Sequence, residues 1–282
     1  MAAFVKENAF EAVRMIRAPS LTPHDPVFLP LFGGMILLAW ALLAAWGLSP
    51  WAGSLDHDWT RLALLAELCR MNPVAGVLPD LALGALAWLL MSTAMMLPTA
   101  LPLVASFRGL AARQPHGGRL LALLVGGYLA VWFAFGLIVH GLGMILAGLA
   151  ADSAWLTFNG WAIAAAILLA SGLFQFSALK AHCLHVCHSP VTFILERWSP
   201  RQPRRSSFRL GVIHGLYCLG CCWALMLIMF AVGTANLAWM LLLAAVMALE
   251  KNSPWGRRMS RPLGAVLIIL AVALAGSGLL SL

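Results

Sequence analysis

Five cysteines in two tight groups, flanked by histidines, carry the chemistry of this 282-residue chain. The denser group is Cys218-Leu219-Gly220-Cys221-Cys222, with His214 one helical turn ahead of it. On a helix His214, Cys218, Cys221 and Cys222 fall at i, i+4, i+7 and i+8, so they share one face. Met229 continues that face. Thiolates and an imidazole in an apolar helix are costly unless paired, and a bound metal ion is the usual partner. The competing reading is packing, because a free Cys behaves as a small hydrophobe. Three cysteines within five residues, aligned with a histidine, favour a metal or redox role.

The other group is His182-Cys183-Leu184-His185-Val186-Cys187-His188. Cys183 and Cys187 stand at i, i+4, a workable bidentate pair. His182, His185 and His188 point broadly the other way, so one ion cannot take all five from a straight helix. Ser189-Pro190 then ends or bends the helix. The segment reads either as a site that captures a metal from the cytoplasm or as a histidine-rich turn facing headgroups. A third element is Met91, Met95 and Met96 ahead of Pro98 and Pro102. Thioethers favour Cu(I), so Met95 or Met96 facing the cysteines would extend a copper route, although Met is also ordinary core filler. Cu(I) is the favoured ion, Zn(II) suits three Cys and a His as well, and the lack of a carboxylate cluster argues against Mg and Ca.

The elements that hold these residues are apolar helices. Hydrophobic residues make up 62% of the chain and charged residues 10%, which excludes an ordinary soluble domain. Twelve Trp and 25 Gly suit interfacial belts and close helix contacts. Segments long enough to cross about 30 Å of hydrocarbon run near 28–48, 81–104, 120–146, 161–179, 208–232, 235–250 and 263–280, the sixth being short. The predicted fold is therefore all-α, a polytopic transmembrane helical bundle of about seven spans, N-in and C-out. It forms a single domain over 28–282 behind a cytoplasmic N-terminal arm, 1–27. A periplasmic loop covers 49–80, with a surface stripe at Trp59, Leu62, Leu65 and Leu68, and a cytoplasmic loop covers 180–208.

Charge placement supports this orientation. Of the 18 basic residues only Arg61 and Arg70 fall on the outer side, and the rest gather in the inner segments. The net charge of +8 is thus explained by membrane orientation, and no nucleic-acid partner is expected. Counting from Phe208, Cys218 to Cys222 lie ~15–21 Å deep, close to the bilayer midplane. Gln175, His140 and Glu250 are the remaining polar residues inside spans, and Glu250 is expected to pair with Lys251 or Arg209. No internal repeat, nucleotide-binding glycine loop or Ser-His-Asp arrangement is evident.

The chain resembles a bacterial family of integral-membrane proteins of unknown function described as predicted metal-binding membrane proteins. The resemblance is carried by Met95-Met96-Leu97-Pro98, Gly127-Tyr128 with Trp132, Gln175, and Leu179-Lys180. It continues with Cys183-x3-Cys187 before Ser189-Pro190, His214-Gly215, Cys218-Leu219-Gly220-Cys221-Cys222-Trp223 with Leu225-Met226, and Glu250-Lys251. Members of that family often carry a basic residue where His188 stands. The resemblance implies metal binding and a bacterial inner (cytoplasmic) membrane location without naming a substrate.

Three functions follow. One is transport, delivery or homeostasis of a soft metal through Cys218, Cys221, Cys222 and His214, with Cys183, Cys187, Met95 and Met96 on the route. The second is a membrane redox enzyme in which the Cys218-x2-Cys221 pair cycles as a disulfide or holds a metal centre. The third is a structural subunit of a membrane complex. The partners implied are the lipid bilayer and a membrane or periplasmic protein.

Overall fold

The computed structural model describes residues 28–47, 77–151, 160–232 and 236–280. The N-terminal arm and the outer stripe from Trp59 to Leu68 lie outside them. The described residues are helical throughout, with no strand among them: α1 (Phe28–Gly47), α2 (Val77–Met96), a 3-10 turn (Pro98–Ala100), α3 (Leu101–Ala111), α4 (Gly117–Ala151), α5 (Gly160–Phe174), α6 (Ala178–Cys187), α7 (Pro190–Arg197), α8 (Pro203–Val232), α9 (Leu237–Asn252) and α10 (Gly256–Leu280).

Four of these, α1, α4, α8 and α10, contain apolar stretches long enough to cross a membrane. Two bent pairs raise the number to six if each is one span. One is α2 with the 3-10 turn and α3, bent by 47°, and the other is α5 with α6, bent by 66°. The sixth apolar run becomes α9, only 16 residues long and outside that set. At about 1.5 Å per residue it measures roughly 24 Å, short of a 30 Å core. Within the segment 180–208 the chain is mostly helical: α6, α7 and the first turns of α8 occupy most of it.

The surface of the bundle suits lipid. Leu37 on α1, Ile138 on α4 and Ile269 on α10 are 70%, 65% and 66% exposed in the middle of apolar helices. The polar side chains Lys180, Glu250, Lys251, Gln175 and His214 are buried instead. This is an inverted distribution for a chain in water and an economical one in hydrocarbon.

At the centre α4 crosses α8 with little between the backbones. A Cβ at Gly211 would run into the Leu124 carbonyl oxygen, and one at Gly127 into the Phe208 carbonyl oxygen. Small residues let the two backbones touch, the usual device of membrane helix packing. That crossing brings Tyr128 of α4 against the cysteine face of α8. A second crossing joins α5 to α10 through Gly172 and Gly264.

Candidate metal centre

Cys218, Cys221 and Cys222 are buried in the middle of α8, as their shared face requires. Cys221 Sγ lies 3.3 Å from Cys222 Sγ and donates to the Cys218 carbonyl at 3.1 Å. The 66° bend after α5 lays α6 across them. Cys183 Sγ sits against Gly220, where an added Cβ would come within 2.6 Å of the sulfur. Cys187 adjoins Cys221. The two cysteine groups, 31 residues apart between Cys187 and Cys218, thus form one continuous buried patch of sulfur, and all five thiols are free. His182 and His185 are exposed on the opposite face of α6, as the spacing implies.

Cys218 anchors a closed ring of hydrogen bonds. Its sulfur lies 2.9 Å from Tyr128 Oη and 2.9 Å from Lys251 Nζ. Lys251 Nζ also donates to Thr99 Oγ1 at 2.8 Å, and Thr99 Oγ1 donates to the Met96 carbonyl at 2.7 Å. Tyr128 Oη reaches the same carbonyl at 3.1 Å, which closes the ring. The proline break explains why that carbonyl is available. In a continuous helix the Ala100 N–H would bond to Met96, but the 3-10 turn at Pro98 gives it to Leu97 instead. The freed oxygen is then satisfied by two hydroxyls, as a buried carbonyl must be.

Lys251 has no carboxylate partner among the described residues. Glu250, expected to pair with Lys251 or Arg209, pairs instead with Lys180 at 2.7 Å and accepts from Ser260 at 2.7 Å. Successive residues of a helix point about 100° apart, so Glu250 and Lys251 serve different neighbours. Cys218 is thereby tied to the last turn of α9 through the Lys251 side chain.

His214 lies one turn before Cys218, buried between the rings of Tyr128 and Phe193, and its Nδ1 has no hydrogen-bond partner among the described residues. Met95 and Met96 are buried in the same core as the cysteines. The hydrogen bonds that tie this region to Cys218 come from the Met96 carbonyl and Thr99. Tyr128, Thr99 and Lys251 are thus the site residues that spacing alone does not single out, although Tyr128 and Glu250-Lys251 belong to the quoted resemblance.

Among the described residues, no group of three or more His, Cys, Asp or Glu side chains has a geometry ready to hold a metal ion. The thiols are packed against one another, whereas a tetrahedral site with metal–sulfur bonds of about 2.3 Å spaces its sulfurs by about 3.8 Å. The Cys221–Cys222 pair, at 3.3 Å, would have to open by about half an ångström to reach that spacing. In donor chemistry the patch fits a soft ion: buried sulfur, an orphaned imidazole nitrogen and, among the described residues, no carboxylate paired with the thiols.

Residues 85–274, about two thirds of the chain, match the model of a family described as PpoB2, copper chaperone. No curated protein and no solved structure matches the chain.

Proposed function

The chain belongs to the PpoB2 copper chaperone family, and on that premise we propose that it is an integral membrane protein that takes up Cu(I) and hands it on. The observation that carries this reading is the convergence of α6 and α8 on one buried patch of free thiols. Cys218, Cys221 and Cys222 are the proposed core ligands, with His214 one turn away. Cys187 and Cys183 lead from the exposed histidines of α6 to that core, and Met95 or Met96 supplies a thioether. Thiol-to-thiol packing supports stepwise transfer, since an ion shared by adjacent sulfurs changes partners without ever being fully released.

In the proposed membrane placement α9 joins the spans to make seven, with the N-terminus inside and the C-terminus outside in a bacterial inner membrane. The basic residues of α7 and of the loop before α8 then face the cytoplasm. Copper received there would pass to a membrane or periplasmic protein.

The test is metal content of membrane-purified protein. Cys218→Ser or Cys222→Ser should abolish copper co-purification, because losing a ligand costs more than the roughly tenfold or greater loss typical of second-shell changes. Met95→Leu should lower copper without affecting zinc, for which a thioether is a poor ligand. Wild-type metal in all three variants, or no metal in the wild type, would remove the site.

A further inference from the structure

Lys251 is an ammonium buried beside the proposed ligands and neutralised by no carboxylate among the described residues. Glu250 is engaged by Lys180 and Ser260, and Glu196 by Arg197. What faces Lys251 is the Cys218 sulfur at 2.9 Å and the uncharged Thr99 hydroxyl at 2.8 Å. A buried unpaired ammonium is expensive, so this one has its counter-charge at the sulfur or at whatever the sulfur binds. Thr99 fixes it from the other side, through a hydroxyl itself anchored on the Met96 carbonyl.

We propose that Lys251 is the residue that selects a monovalent over a divalent ion at the thiol patch. This rests on the metal-binding reading above. With any given set of thiolates, the complex of a monovalent ion carries one more negative charge than that of a divalent ion. A fixed positive charge against the ligand sulfur therefore favours the monovalent complex, whether two thiolates or three are used. With two thiolates the match is complete: a monovalent ion leaves one negative charge, which the ammonium cancels. A divalent ion already neutralises both thiolates and leaves the ammonium uncompensated. Low effective dielectric makes this difference large in the core of the bundle. Lys251 is a positioning and charge-balancing group in this scheme and is not itself a ligand, since an ammonium has no lone pair.

The experiment compares wild type, Lys251→Met, Lys251→Gln and Lys251→Arg, each as the full chain purified in detergent with its melting temperature recorded. Cu(I) affinity is measured anaerobically against a competing Cu(I) chelator, and Zn(II) affinity against a competing Zn(II) chelator. The ratio of the two is the readout, because a merely structural lysine would lower both together. Met and Gln should lower the Cu(I)-to-Zn(II) preference by roughly 10–100-fold, and Arg should keep it within a few-fold of wild type. Gln retains hydrogen bonding to Thr99 and Cys218 without charge, so it reads the charge even if Met fails to fold. An unchanged ratio in Lys251→Gln, with copper still bound, would overturn the inference and leave the metal site standing. A wild type that binds no Cu(I) would overturn both.

Discussion

Lys180 Nζ lies 2.7 Å from a Glu250 carboxylate oxygen, and this ion pair, buried on both sides, joins α6 to α9 across 70 residues of sequence. Removing one partner strands the other charge in an apolar interior, at a cost of about 3–5 kcal/mol. Glu250→Ala should therefore unfold far more readily in a detergent melt or denaturant titration than wild type. The double variant Lys180→Met with Glu250→Met should recover most of the loss, because it leaves no charge unpaired.

Tyr128→Phe tests the hydrogen-bond ring. It removes the hydroxyl that bridges the Met96 carbonyl and Cys218. Thr99 still satisfies the carbonyl, so the expected loss is near 1 kcal/mol rather than a full unsatisfied-group penalty. A double-mutant cycle with Cys218→Ala should show coupling between the two positions, and additivity would mean that the ring does not act as a unit.

The α4–α8 crossing predicts a sharp contrast between glycines. Gly211→Ala drives a methyl into the Leu124 carbonyl, and backbone cannot yield as a side chain can. The expected cost is about 3 kcal/mol or more. Gly109→Ala on α3 meets nothing within 4 Å and should be silent or slightly stabilising. Comparing folded yield and melting temperature of the two variants checks this.

Cys183 and Cys187 are free thiols, and the proposed membrane placement would turn them toward a reducing compartment. Because both are buried, maleimide should label them slowly in the folded protein and fully after denaturation, with no reductant added. Labelling that requires prior reduction would show a disulfide. Orientation is checked separately: a reporter fused after Leu282 should be active only in the periplasm, and one inserted between Ser199 and Arg205 only in the cytoplasm.

Much of this architecture is legible in the order of residues. Apolar runs mark the long helices, Met96-Leu97-Pro98 marks the break after α2, and the i, i+4, i+7, i+8 spacing marks the face of α8. What spacing cannot reach is any contact made across helices. That Cys187 meets Cys221 depends on the bend between Phe174 and Ala178, whose angle no periodicity encodes. That Glu250 turns to Lys180 while Lys251 turns to Cys218 depends on how α9 is rotated, and the sequence offered Glu250 the nearer Lys251 as readily as any other basic residue. The shortness of α9 was visible, but its role as the carrier of two buried charges was not.

Those two neighbouring charges also work as a key. Glu250 and Lys251 project at different azimuths from one turn of α9, each into a socket of its own. Turning α9 by a single residue, about 100°, would withdraw both at once. The sulfur of Cys218 is thereby held in register with a helix whose rotation is set by an acid that never touches it. An Ala inserted after Leu243 would change the angular setting of the lysine while leaving every cysteine in place.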